Sequence, residues 1–346
     1  MKKVVLNRDI NVELLRVVLM GLIIIHHIIV HGLNLKQMNV SNIELTEFNS
    51  ILSFINSFLI VAVNTFILIS GYYGMKFNLK KICRIIGMGI VYSLSIYLIF
   101  VIFNVHEFTF VNLVKYALPI KMWWFFTAYI LLMMFSPYIN IMLHNLKVSE
   151  LRNLIILLTI LISVFGFIPG LNLGSLGISN GYSLIMFVYI YIIGYYLRTL
   201  GLNIPSKNIC LLIYILTSLL LTVCVYITWV LIGSQSAWHL YSYNNILVVI
   251  ASIAFFLYFK QIKLDTLRIT KIISTISPTI FGVYLFHEHL LIQSKIYLML
   301  EKIMTKDSFI NITIILVYGL ILFLVGILIE KLRLMCEQRF YELKRR

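Results

Sequence analysis

Residues 11–32 read NVELLRVVLMGLIIIHHIIVHG, and the fold follows from how this stretch is read. It has the length of a membrane-spanning helix, which needs about 20 predominantly apolar residues. Yet it carries Glu13, Arg16, His26, His27 and His31. A charge at the bilayer centre costs roughly 2.5–3.5 kcal/mol on insertion scales, so ionisable groups inside a span face protein or a cavity and mark a site. His27 follows Arg16 by eleven residues. At about 100° per residue that is three turns plus about 20°, so the two share a helix face, about 16 Å apart along the axis. Glu13 lies one turn before Arg16, at the i,i+3 spacing of an ion pair. His31 lies one turn beyond His27. One face of this helix is therefore polar through much of the bilayer.

The rest of the chain agrees with a membrane reading. Of its 346 residues 61% are hydrophobic and 12% charged, where a soluble domain has about 25% charged residues. Apolar windows place ten helices near 11–33, 48–74, 83–104, 122–143, 152–169, 181–199, 208–232, 244–260, 271–298 and 309–332, an all-α polytopic transmembrane bundle. Ten spans put both termini on one side. The loop ends on that side hold twenty-one Lys and Arg against six on the other, so the positive-inside rule makes both termini cytoplasmic. The same asymmetry accounts for the net charge of +15, and no nucleic-acid partner is needed. The basic tail reads as an anchor at an anionic leaflet. Cys83, Cys210, Cys224 and Cys336 are scattered and suggest neither a disulfide framework nor a metal site. Glu13 and Arg16 interrupt the first apolar run and no small-residue cleavage site follows, so it reads as a retained span. We expect residues 1–346 to form a single integral-membrane domain with no separate soluble domain.

Four constellations carry chemistry. In the first, Arg16 is a permanent cation able to hold an anion, and His27 is suited to take a proton from a hydroxyl near neutral pH. The bland alternative is a structural Glu13–Arg16 pair with histidines hydrogen-bonded between helices. His26, about 100° away on the helix, reads as structural. The second is FILISGYYGMKFNLKKICRI, residues 66–85. Here Ser70-Gly71 reaches the cytoplasmic face, and Lys81 and Arg84, three residues apart, are placed to receive a polyphosphate or simply to face the cytoplasm. The third is TISPTIFGVYLFHEHLL, residues 275–291, with Tyr284 and His287 three apart on one face and an acid, Glu288, beside them. His287 and His289 point about 200° apart on a helix, so no metal is expected there. The fourth is WWFFTAYILLMMFSPYIN, residues 123–140, in which Trp124 reads as an interfacial anchor or a supporting site residue.

In this order the four stretches resemble acyltransferase family 3, integral-membrane enzymes that O-acylate carbohydrates. Arg16 and His27 match the family's basic residue, ten-residue gap and histidine. FILISGYYGM resembles its F-x-x-SG-[FY] segment, Lys81 to Arg84 its pair of arginines, Trp123 to Pro137 its W[FY]…SP segment, and GVYLFH its GIYLIH segment. Two positions depart: Lys81 keeps the charge but loses the bidentate fork, and Glu288 stands where the family often has proline. The resemblance implies an acyl-CoA donor, most commonly acetyl-CoA, and a cell-surface or lipid-linked glycan acceptor at the cell membrane. Lys81 and Arg84 would hold the phosphates of CoA, and Arg16 would lie deeper, near the pantetheine or thioester. His27 would act as general base or transient acyl carrier, with Tyr284 and His287 orienting the acceptor. The family's extracytoplasmic esterase-like domain is not expected. A transporter, flippase or polymerase-like protein for polyprenyl-linked sugars is the rival reading, since such proteins also combine many spans, intramembrane charges and basic loops.

Overall fold

The computed structural model describes residues 9–119, 122–168, 177–201, 204–264 and 266–343. Lys2, Lys3, Arg8, Lys121, Lys344, Arg345 and Arg346, which enter the charge count, lie outside the described residues. Among the described residues there is no strand; the protein is all-α and polytopic.

In chain order the helices are α1 (Ile10–His27), α2 (Glu47–Leu59), α3 (Ala62–Tyr73), α4 (Leu79–Ile102), α5 (Phe110–Ala117), α6 (Trp124–Asn145), α7 (Val148–Thr159), α8 (Leu184–Thr199), α9 (Lys207–Leu231), α10 (Ser234–His239), α11 (Ile246–Lys260), α12 (Leu267–Ile276), α13 (Ile280–His287), α14 (Leu290–Ile303) and α15 (Ser308–Leu343). A π-helical turn, Ile28–Gly32, continues α1. Each of the ten expected spans has a counterpart. Eight of these, among the described residues, are long and apolar enough to cross a membrane, while α8 and α11 are apolar but shorter.

Two spans are broken. The second turns at Ile60 and Val61 between α2 and α3. The ninth, expected as one helix over 271–298, is three pieces. A 3-10 turn, Ser277–Thr279, separates α12 from α13, where Pro278 supplies no backbone N–H. The chain then turns again at Glu288 and His289 before α14, whose N-terminus His289 caps by accepting from the Leu291 N–H at 3.3 Å. Short polar side chains mark other starts: Thr46, Thr109, Ser183 and Asn245 cap α2, α5, α8 and α11, each satisfying one of the N–H groups a helix start leaves without an internal partner.

The described chain divides into two compact units. The first comprises residues up to Ile28, Gly87–Trp123 and Lys263 onward. In it α1 packs on α12, α13 and α15, and α13 packs on α15. Leu15, Leu19, Ile24, Ile28, Val283 and Leu285 form its apolar centre.

The second unit comprises Ile29–Ile86 and Trp124–Ile262. Its centre is α3, packed on α8 and α11, with α9 covering α11 and α2, and α6 and α7 flanking α8. The α3–α8 crossing depends on two glycines. A Cβ on Gly71 would stand 2.1 Å from the Tyr191 carbonyl oxygen, and one on Gly194 would stand 2.5 Å from that of Leu68. Backbone, unlike a side-chain tip, cannot swing aside, so the two helices approach this closely only because neither position carries a side chain.

Gly71→Ala and Gly194→Ala are each expected to destabilise the protein by about 1–3 kcal/mol, the usual cost of overpacking. Melting of the detergent-solubilised protein checks this, and the wild-type Tm in both variants would refute the close crossing.

Candidate functional site

The first unit brings together His26, His27 and His287. α1 is uninterrupted from Ile10 to His27, so the helix register linking Arg16 to His27 holds. At its end His27 Nδ1 lies 3.0 Å from His287 Nε2 and 2.8 Å from Glu288 Oε1. His287 is 3% exposed, and its Nδ1 lies 2.8 Å from the Val283 carbonyl oxygen, one turn back on α13. Tyr284 sits edge-on to the His287 ring, centroids 6.2 Å apart. The His26 ring lies 5.5 Å from that of His27.

These contacts assign the protons. A carbonyl oxygen only accepts, so His287 Nδ1 carries the hydrogen donated to Val283. In neutral His287 the lone pair is then on Nε2, which accepts. With His287 neutral and Glu288 ionised, His27 Nδ1 faces two acceptors and carries the hydrogen. The lone pair of neutral His27 is thereby placed on Nε2. A histidine in this tautomer, oriented through Nδ1, has the arrangement of a general base.

Helix periodicity assigns Glu288 no partner on the face of His287. Adjacent residues on one helix diverge by about 100°, so a continuous helix would carry Glu288 away from the face of His287. α13 ends at His287, and the turn that follows returns the carboxylate to His27. Gln293, on α14, donates to the same Oε1 at 3.2 Å.

Nearer the start of α1, Arg16 pairs with Glu13, and the Ser277 hydroxyl donates to the second oxygen of that carboxylate. Glu13 is 5% exposed, whereas the Arg16 side chain is 36% exposed. The acid is anchored on the α12–α13 break, and the guanidinium beside it remains partly open to a ligand.

A second polar cluster holds α13 from behind. Glu330 of α15, 1% exposed, accepts from the Tyr92 hydroxyl at 2.7 Å and from Arg333 through both oxygens at 2.8 Å. Arg333 also reaches Glu337 at 2.9 Å. A Cβ on Gly282 would lie 2.5 Å from the Glu330 carboxylate. The glycine of the GVYLFH segment is thus the seat of this carboxylate. His289 is fully buried, stacked on Tyr116 and edge-on to Trp123, and serves packing.

The second unit holds the remaining expected residues. The Ser70 hydroxyl donates to the Phe66 carbonyl at 3.2 Å and lies 3.4 Å from the Tyr129 hydroxyl. Just beyond α3 the Met75 N–H donates to the Tyr191 hydroxyl, which donates to Asn140 Oδ1, whose Nδ2 donates to the Met75 carbonyl, each at 2.8 Å. This closed ring ties down the strap that leads into the basic segment. There Asn78 Oδ1 accepts from the Lys81 N–H at 3.1 Å, and the Lys81 and Arg84 side chains are exposed. Trp124 is an aromatic neighbour of Tyr182, Phe187 and Tyr243, stacked on the last with centroids 5.7 Å apart. The sequence shows that aromatics are abundant here but does not pair Trp124 with rings so far along the chain.

A family model described as an acyltransferase domain matches residues 9–331. No curated protein matches the chain, and no solved structure does.

Glu330→Ala would take the bidentate partner from Arg333, which keeps Glu337, and the acceptor from the buried Tyr92 hydroxyl, a loss of about 1–3 kcal/mol. A clearly lowered Tm is expected. Gly282→Ala is expected to lower it as well, because the carboxylate it displaces is held by three hydrogen bonds from Tyr92 and Arg333. Unchanged melting of both variants would refute the clasp.

Proposed function

This chain belongs to acyltransferase family 3, and from that premise we propose that it moves an acyl group, acetyl foremost, from a cytoplasmic acyl-CoA to a hydroxyl of a cell-surface or lipid-linked polysaccharide. The observation that carries the proposal is the hydrogen-bond chain Val283–His287–His27, which supports a neutral His27 with its basic lone pair on Nε2. His27 takes the proton of the acceptor hydroxyl. The oxygen attacks the thioester carbonyl, the new C–O bond forms, the C–S bond breaks, and the CoA sulfur leaves as thiolate. Histidine as a transient acyl carrier would call on the same Nε2.

Arg16, steadied by Glu13, offers a fixed positive charge to the donor or to the oxyanion of the tetrahedral intermediate. Lys81 and Arg84 bind the phosphates of CoA, Lys81 as a point charge and Arg84 with its planar fork. Ser70, Trp124, Tyr284 and His287 support the substrates or the base. The excess of Lys and Arg on one set of loop ends supports cytoplasmic termini and a cell-membrane location, which gives CoA and the basic segment the same side. Acyl transfer in this form calls on no metal.

The test compares His27→Ala with the wild type in membranes supplied with radiolabelled acetyl-CoA, at matched protein abundance. Transfer to glycan is expected to fall by about 10²–10⁴-fold, the usual contribution of a general base. Normal transfer would overturn the assignment. The double variant Lys81→Ala/Arg84→Ala is expected to raise KM for acetyl-CoA at unchanged Tm. Wild-type protein whose Tm acetyl-CoA does not raise would favour a transporter or polymerase-like protein instead.

A further inference from the structure

We propose that Glu288 is a positioning residue for His27, so that the base works as a relay of carboxylate, imidazole and acceptor hydroxyl. The inference rests on the reading of His27 as general base and adds to it a residue at which this chain departs from the family pattern. Three observations carry it. Glu288 Oε1 lies 2.8 Å from His27 Nδ1, the length of a charge-assisted hydrogen bond. The same oxygen accepts from Gln293 Nε2 at 3.2 Å, and Gln293 also lies 3.4 Å from the Tyr297 hydroxyl, so α14 holds the carboxylate in place. Finally, the chain breaks between His287 and α14, and this break delivers an acid to a ring that a continuous helix would turn away.

The two contacts at His27 Nδ1 divide the work. His287, held through Nδ1 by the Val283 carbonyl, contributes Nε2 as a neutral acceptor. Glu288 contributes a negative charge. When the proton of the acceptor hydroxyl moves to His27 Nε2, the ring becomes an imidazolium with hydrogens on both nitrogens. The carboxylate beside Nδ1 stabilises that cation, and it does so most in the transition state, where the positive charge develops. In an apolar surrounding this attraction is stronger than in water. No proton passes to Glu288. When the CoA thiolate takes the proton from Nε2, the ring returns to the neutral tautomer and the carboxylate is unchanged.

A group that acts on the transition state lowers kcat and leaves substrate binding alone. Glu288→Ala is therefore expected to lower kcat about tenfold or more, with KM for acetyl-CoA within about twofold of wild type and Tm unchanged. Added formate, a carboxylate small enough for the vacated position, is expected to restore part of the rate in Glu288→Ala and none in His27→Ala. A merely structural role would not respond to formate. If Glu288→Ala fails to accumulate, Glu288→Gln, of the same size, takes its place: kcat reduced at normal KM supports the proposal, and wild-type kcat overturns it. Wild-type kcat in Glu288→Ala, or a rise in KM without loss of kcat, also overturns it. The two readings fail separately. An active Glu288→Ala beside an inactive His27→Ala removes the relay and keeps the base, whereas an active His27→Ala removes the base itself.

Discussion

A 2.8 Å hydrogen bond from His287 Nδ1 to the Val283 carbonyl sets the direction of the hydrogen bond between neutral His287 and His27. The carbonyl has no hydrogen to give, so the polarity of the chain is fixed at that end and passes outward to His27 Nε2. What keeps the bond in place is the seating of α13. Gly282 lets the Glu330 carboxylate lie against the helix, and Tyr92 and Arg333 hold that carboxylate. On the other side, Ser277 at the head of α13 donates to Glu13 of α1. The segment that positions His287 is thus tied to α15 behind and to α1 in front by buried charges that are satisfied. In a low-dielectric surrounding, satisfied polar networks of this kind rigidify their neighbours, and half-satisfied ones do not.

The second unit meets its packing demand differently. Its central crossing is made by absence, two glycines facing backbone, and its polar strap by a ring of three hydrogen bonds through Tyr191 and Asn140. Gly71 of the one and Met75 of the other lead along the chain to the exposed cations Lys81 and Arg84.

Much of this was legible in the sequence because it depends on regular helix geometry. The Arg16–His27 register and the Glu13–Arg16 pair need only a continuous α1, and α1 is continuous. The Tyr284–His287 neighbourhood needs only i,i+3 spacing on α13. What escaped depends on irregularity or on distant chain. Glu288 meets His27 because a helix stops at His287, one position before the acid. Pro278 signals a break, yet nothing so plain marks the second break ten residues on. The Glu13–Ser277 and Tyr92–Glu330 contacts join residues more than two hundred positions apart, and a single sequence has no periodicity that pairs them. The reason for the glycine in GVYLFH likewise lies on α15, not in the segment itself.

The central claim is a statement about two protons, and nitrogen-15 NMR of histidine-labelled protein in lipid bilayers reads them directly. The account predicts that His27 and His287, assigned by loss of each signal on His27→Gln or His287→Gln substitution, are both neutral and protonated at Nδ1. A His27 signal showing hydrogen on Nε2 in the resting protein would place the lone pair on the wrong nitrogen and contradict it.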